Sequence, residues 1–545
     1  MADPGEIRVA FAGGTAREGP PTVAQRNVLR SMRHQETDGH NFALSLVVPL
    51  PGGVRLAGVG EAVRRLVLRH ESLRTSFTGD GRQCVAGDGE LVVAVREDGS
   101  AHDVAALLTA TRIDPSTPAP LRAAVVTVDG APRHAVLALS HAAVDAASVE
   151  VLRHEFAALL RDPDAVLEPA AWHPVDQAAV EQTDRSRVRL AQALDYWRDT
   201  LARVPQCMFA VPPEPVGRAV YRAARLRSRA LARAASVVAA RTRTSRSAAV
   251  LAALSAIVGR YTGQPDCVVT AVAGNRLAPE LRGYVGPLAQ DALIAFPLGG
   301  ASFDELVRRA FAASLRAYRH SRFDAVELWR VIEATGHARG TSFARDFVFN
   351  DLSGYAPGGS RSGADTEFAW LPAADLPARF VCYVNRLDGS DAELVLWADV
   401  RRITPARLEL AARDVERVLL AAAAGGPDAG DPDPGGPAEL STVERGPDWR
   451  YLDSCWVDLA EVRRLVADAL PAFHSGVFCD DGALVAFLAP ELDPARAHEA
   501  CMIVLPGRET AMAPQRYVIC ASSPEDASDH MAWRAQPVVA AGSGR

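Results

Sequence analysis

Thirteen consecutive residues from Gly425 to Pro437, GGPDAGDPDPGGP, contain only Gly, Pro, Asp and Ala. Proline removes backbone donors, glycine is costly to order and aspartate favours water, so this stretch suits neither helix nor sheet and reads as an exposed linker. It divides the chain into a long front part and a short back part, each of which needs its own apolar core. The total of 545 residues by itself calls for two or more domains. With 48% hydrophobic and 23% charged residues, the composition is that of a folded chain.

Patterning in the front part mixes two periods. Val59, Val63, Leu66 and Val67 share one helical face between Val59 and Leu73, and Val149, Leu152, Phe156 and Leu159 or Leu160 form another behind Ser148, a candidate cap. A β-rich run from Asn41 to Val48 and the segments Leu91 to Val95, Leu121 to Val128 and His134 to Ser140 read as strands. A helical bridge over Asp176 to Leu201 follows. Then come a long Ala/Arg helix from Arg229 to Tyr261, a strand at Cys267 to Ala273, a helix at Phe303 to Tyr318, strands at Arg345 to Asp351, Phe380 to Val384 and Glu393 to Ala398, and a helix at Thr404 to Ala423. Past the linker, VDLAEVRRLVADAL is amphipathic and Asp480-Asp481-Gly482 predicts a hairpin, while the tail from Ala535 reads as loose. The fold class expected is α/β with α+β layers.

Composition also excludes chemistries. All 59 basic residues are Arg, so Walker-type nucleotide binding, Schiff-base chemistry and lysine-dependent adenylation are disfavoured. A net charge of -7, without a basic stripe, argues against nucleic acid. No apolar stretch nears the length of a membrane helix and the first residues lack a leader pattern, which predicts no membrane partner and a cytoplasmic location. The closest of the eight cysteines, Cys501 and Cys520, are nineteen residues apart, so no metal knuckle is expected and no metal or cofactor is assigned.

The segment SHAAVDAAS, Ser140 to Ser148, places a histidine at a strand end, an aspartate in the following turn and a helix start behind it. An imidazole with an ordinary pKa of about 6.5 can accept a proton there, while a short carboxylate anchors the turn to an arginine. His141 and Asp145 are the candidates, and by itself the pattern also fits a structural histidine.

Other segments align with it in order. TVAQ at Thr22, RHESLRTSF at Arg69 to Phe77, SHAAVDAAS, ALDYWRDTL, AVAGNRLAPELRGYVG and AYRHSRFDAVEL resemble successive motifs of nonribosomal-peptide condensation domains over about residues 20 to 423. The resemblance implies two chloramphenicol-acetyltransferase-like lobes in a V-shaped pseudo-dimer, with a tunnel for two substrates. It implies boundaries of 1–19 for a lead, 20–175 for the first lobe, 176–424 for the second with its bridging helix, 425–437 for the linker, 438–534 for a small C-terminal α+β module and 535–545 for the tail. The family's HHxxxDG motif maps its catalytic histidine onto His141 and its aspartate onto Asp145. Ser140 stands for the first histidine and Ala146 for the glycine; the methyl added at Ala146 either obstructs close approach of the pantetheine arm or, if the position needs a positive φ, forces a different backbone conformation. Arg276, Arg69 and Arg74 are the candidate partners of Asp145, and Gln290 lies nearest the family's tunnel asparagine. The back part, Trp456 to Val518, resembles the C-terminal subdomain of adenylation domains, without its lysine and without an ATP-binding subdomain before it; contact with a carrier protein or buttressing of the second lobe is expected of it.

The activity implied is that of a free-standing condensation enzyme. It would transfer an acyl or aminoacyl group from the phosphopantetheine of a peptidyl or acyl carrier protein to an amine, which is either a small molecule or held on a second carrier. An ester-forming acyltransferase and a non-catalytic carrier-docking or recruitment protein are the alternatives.

Overall fold

The structure is a computed structural model that describes residues 5–34, 42–97, 99–213, 221–300, 302–355, 365–372, 378–425 and 438–545. Two compact units emerge: Met1–Ala193 with Ala273–Gln290 and Ser321–Val326, and Leu194–Val272 with Asp291–His320 and Glu327–Arg545. The fold is mixed α/β.

The first unit runs β1 (Glu6–Phe11), β2 (Arg17–Gly19), α1 (Val23–His34), β3 (Ala43–Pro49), α2 (Leu56–Arg69), β4 (Thr75–Phe77), β5 (Gln83–Val85), β6 (Gly89–Glu97), α3 (Ala101–Thr109), β7 (Leu121–Val128), β8 (Ala131–Ser140), α4 (Ala146–Arg161) and α5 (Pro174–Glu181), and α6 (Asp184–Leu201) begins in it. Its main sheet has the order β1-β6-β7-β8-β3, with β6 and β7 parallel and the other pairs antiparallel. Alternation along β7 and β8 sends Val125 and Leu137 to one face and Val126 and Val136 to the other. On the first face Val63 and Leu66 of α2 and Leu152 and Phe156 of α4 close the core; α3 covers the second with Val104 and Ala105. Each such Leu or Phe stabilises the unit by about 1.5–3 kcal/mol on burial.

The second unit contains β9 (Tyr221–Ser228), α7 (Arg229–Thr242), α8 (Arg246–Thr262), β10 (Asp266–Ala273), β11 (Gln290–Pro297), α9 (Phe303–Arg319), α10 (Ala325–Arg339), β12 (Phe347–Asp351), β13 (Thr366–Leu371), β14 (Phe380–Leu387), β15 (Ala392–Asp399) and α11 (Pro405–Ala424), the elements at its borders sharing a few residues with the first unit. Their seven strands form one sheet, β11-β10-β12-β14-β15-β9-β13. Beyond the linker come β16 (Trp449–Leu452), β17 (Cys455–Asp458), α12 (Leu459–Ala469), β18 (His474–Asp480), β19 (Ala483–Ala489), α13 (Pro494–Val504), β20 (Arg516–Cys520), α14 (His530–Arg534) and β21 (Val538–Gly542). In the four-stranded sheet β18-β19-β20-β21, helices α12 and α13 cover one face and the fully buried Trp533 of α14 plugs the other.

Several expectations need correction. The lobes expected over 20–175 and 176–424 do not match the compact units, because residues up to Ala193 and the segments Ala273–Gln290 and Ser321–Val326 join the first. The C-terminal module expected over 438–534 is not a separate body. Glu509 accepts from Arg379 Nε at 2.8 Å and faces Arg402 at 3.1 Å, Gln206 Nε2 donates to the carbonyls of Glu509 and Ala511, and Trp456 Nε1 donates to Gly263, all within the second unit. Buried ion pairs and backbone-directed bonds of this kind hold a module in one place. The tail expected to be loose pairs as β21 with β20. The single Ala/Arg helix is two: Arg243 turns left-handed at φ 57° and Ser245 caps α8 by accepting from the Ala248 amide. The linker from 426 to 437 and Asn41 of the third strand lie outside the described residues.

Candidate functional site

Strand β8 ends at Ser140, and the next five residues form a tight loop held by several hydrogen bonds. The His141 amide donates to Phe42 at 2.7 Å, and the amides of Ala143 and Val144 donate back to the Ser140 carbonyl at 2.9 and 3.1 Å. Ser140 is fully buried and its Oγ accepts from the Ala142 amide at 3.4 Å. From the short turn Glu71–Arg74 that follows α2, the buried Ser72 hydroxyl donates to the Ala143 carbonyl. The His141 ring is half-buried, with Nδ1 at 2.8 Å from the Val144 carbonyl. A carbonyl only accepts, so Nδ1 carries the proton and Nε2 of the neutral ring bears the lone pair. Among the described residues, Nε2 has no hydrogen bond or ion pair.

Asp145, and not Ser148, is the N-cap of α4: its Oδ1 accepts from the Ser148 amide at 2.9 Å. Arg276 meets the carboxylate in a two-pronged bridge, Nη1 to Oδ2 and Nη2 to Oδ1, both at 2.7 Å. The amides of Leu288 and Ala289 add bonds to Oδ2 at 2.9 and 3.2 Å. Burial pushes the Asp145 pKa up, but the Arg276 charge and these donors outweigh it and hold the carboxyl below the usual range. The aspartate is a fully buried anion that stays ionised.

Of the three candidate arginines, only Arg276 reaches Asp145. Arg69 Nε instead donates to Glu155 of α4 at 2.9 Å, alongside His70 Nε2 at 2.6 Å, and Arg74 Nη1 donates to the carbonyls of Thr15 and Ala86. Each is committed to another partner, and the RHESLRTSF segment supports the loop through Ser72, which lies between them. Ala146 is the first residue of α4 and does not have a positive φ, so its methyl introduces no backbone strain, and it is half-buried. Gln290 is buried, its Nε2 donating to Phe323 at 2.9 Å. Reading the sequence missed Val144, Gly286 and the amides of Leu288 and Ala289, because carbonyls and amides carry no residue-type signature, and it missed Ser72, whose hydroxyl acts on a backbone carbonyl. Gly286 had one: a Cβ there would lie 2.6 Å from the Tyr284 hydroxyl, so the Gly-Pro pair marks a close approach.

The family model of the condensation domain matches residues 16–367, about two thirds of the chain. This chain belongs to the condensation-domain family. Its function is therefore of the condensation type; condensation domains are acyltransferases that form amide bonds. Bacitracin synthase 2 of Bacillus licheniformis is 26% identical over 296 residues, covering 52% of this chain and 11% of that protein. Phosphinothricin tripeptide synthetase PhsB of Streptomyces viridochromogenes is 26% identical over 337 residues, 56% of this chain and 28% of that one. The chain thus spans only a small part of these relatives. Among solved structures, the X-domain from teicoplanin biosynthesis aligns with a TM-score of 0.60 at 20% identity over 76% of this chain and 95% of its own. The SgcC5 protein from Streptomyces globisporus gives 0.57 at 20% identity over 74% and 99%. These likenesses establish the condensation fold. No helix among the described residues is long and apolar enough to cross a membrane.

Proposed function

We propose that this condensation domain transfers an acyl or aminoacyl group from a carrier-protein phosphopantetheine thioester to an amine, with His141 as its catalytic residue. The observation that carries the proposal is the half-exposed imidazole whose Nδ1 is committed to the Val144 carbonyl, leaving the Nε2 lone pair to act. In the step, the amine nitrogen attacks the thioester carbonyl and the C–N bond forms. Nε2 takes the proton the amine sheds, the C–S bond breaks, and that proton neutralises the departing thiolate. Thioester aminolysis runs downhill, so orientation and one proton transfer are the main demands on the protein. Asp145, Arg276 and Ser140 serve as loop supports, and phosphopantetheine arrives with the partner carrier and is not bound as a resident cofactor.

The test is intact-protein mass spectrometry on an acyl-loaded carrier with candidate amines and alcohols. Amide product that falls by roughly 100-fold or more in His141→Ala supports the reading. Product formation untouched by that substitution overturns the role of His141. Discharge onto alcohols alone favours an ester-forming acyltransferase, and carrier capture without any discharge favours a docking role.

A further inference from the structure

Ser148 lies in the first turn of α4, fully buried, and its hydroxyl is the meeting point of the loop, the arginine and a distant chain segment. Its Oγ lies 2.8 Å from Asp145 Oδ1, 3.0 Å from Arg276 Nη2, 3.1 Å from the Gly286 amide and 3.0 Å from the Gly286 carbonyl. A hydroxyl has one proton and two lone pairs. Arg276 and the Gly286 amide can only donate, so they take both lone pairs. The proton then goes to Asp145 Oδ1, the nearer of its two acceptors and the charged one. Nothing on this oxygen is left for nucleophilic attack or proton relay.

What the hydroxyl holds is one peptide bond away from the imidazole. The Val144 carbonyl that receives His141 Nδ1–H belongs to the same rigid peptide plane as the Asp145 nitrogen. Rotation of Asp145 tilts that plane and takes the carbonyl off the ring. Asp145 is held by Arg276 across 131 residues of sequence and by Ser148 within its own helix turn, and Ser148 in turn joins both to Gly286.

We propose that Ser148 is a positioning residue for the His141 imidazole: by seating the Asp145 carboxylate it fixes the peptide plane that selects the Nδ1–H tautomer and aims Nε2. This deepens the role given to His141 above and rests on it for its kinetic consequence, but the tautomer can be read without any turnover. Nitrogen-15 spectra of the full chain labelled at histidine, with His141→Gln to assign the signal, report which ring nitrogen is protonated. The wild-type protein should show protonated Nδ1 and bare Nε2. Ser148→Ala should give a mixture of tautomers, a kcat lower by roughly 10-fold to 100-fold, and a KM for the amine unchanged within about twofold. Ser148→Thr, which keeps the hydroxyl, should recover most of both. Ser148→Cys, nearly isosteric but a poor acceptor, should show the same tautomer mixing even where the alanine variant fails to fold. A pure Nδ1–H tautomer in folded Ser148→Ala or Ser148→Cys overturns the proposal, as does a kcat within about twofold of wild type where His141→Ala abolishes amide formation. Should His141→Ala leave amide formation intact while the serine variants still mix tautomers, it is the catalytic reading that fails and the positioning one that stands.

Discussion

Asp145 in the first unit and Asp346 in the second are both buried aspartates, and their pKa values depart from the ordinary one in opposite directions. Asp145 has a guanidinium on both oxygens and three backbone amides besides. Asp346 accepts from the Phe209 amide at 2.7 Å through Oδ2, but its Oδ1 has no hydrogen-bond partner among the described residues. Burial, with the nearby Glu509 charge adding to it, raises the Asp346 pKa from 3.8 to about 7, while Asp145 is held below the ordinary value. The difference teaches that depth does not set the charge of a carboxyl; the donors around it do. In the first unit an anion is built in to hold a loop, and in the second an acid is tolerated inside a core.

The largest break to this comparison comes from removing one charge. Asp145→Asn leaves Arg276 buried without its counter-charge, and we expect a loss of about 3–5 kcal/mol in the unfolding free energy measured by urea titration, against less than about 1 kcal/mol for Asp346→Asn. Equal losses would erase the distinction. Arg276→Lys keeps the positive charge but gives up the second prong, and should cost about 2 kcal/mol by the same titration.

The pH dependence sharpens the contrast because the signs are opposite. The folded-state pKa of Asp346 is raised, so its contribution is full below about 3.8 and drains away as pH climbs to about 7. Its slope is at most about 1.4 kcal/mol per pH unit, and Asp346→Asn should flatten it in melting curves taken across that window. The folded-state pKa of Asp145 is lowered, so its contribution is present above about 3.8 and is lost only as the solution becomes more acid than that. The smallest effect concerns Tyr284, whose fully buried hydroxyl has no partner among the described residues. Tyr284→Phe should leave stability unchanged or raise it by about 1 kcal/mol, since no bond is forfeited; a clear loss would reveal a partner for that oxygen.

The layered α/β character, the strand before His141 and the helix behind Asp145 were legible because period-two and period-3.6 patterning are local. The hairpin at Asp481 and Gly482 was legible for the same reason: both residues take positive φ, 49° and 78°, as that turn demands. Element ends were less so. The break between α7 and α8 rests on a single left-handed arginine, a conformation no composition rule assigns to Arg243. The docking of the C-terminal module was hidden, since Glu509, Gln206 and Arg379 are ordinary polar residues until folding brings them together.

The order histidine, turn, aspartate, helix is set by residues within nine positions of one another, and so the amino-acid sequence alone determined where an imidazole would stand, while the structure moved the cap of the helix after it from Ser148 to Asp145. Which arginine neutralises that carboxylate, and which ring nitrogen is left free, only the tertiary structure decided. Arg276 is 131 residues from Asp145, and the tautomer depends on a backbone carbonyl, a group every residue possesses and only a particular three-dimensional turn can aim.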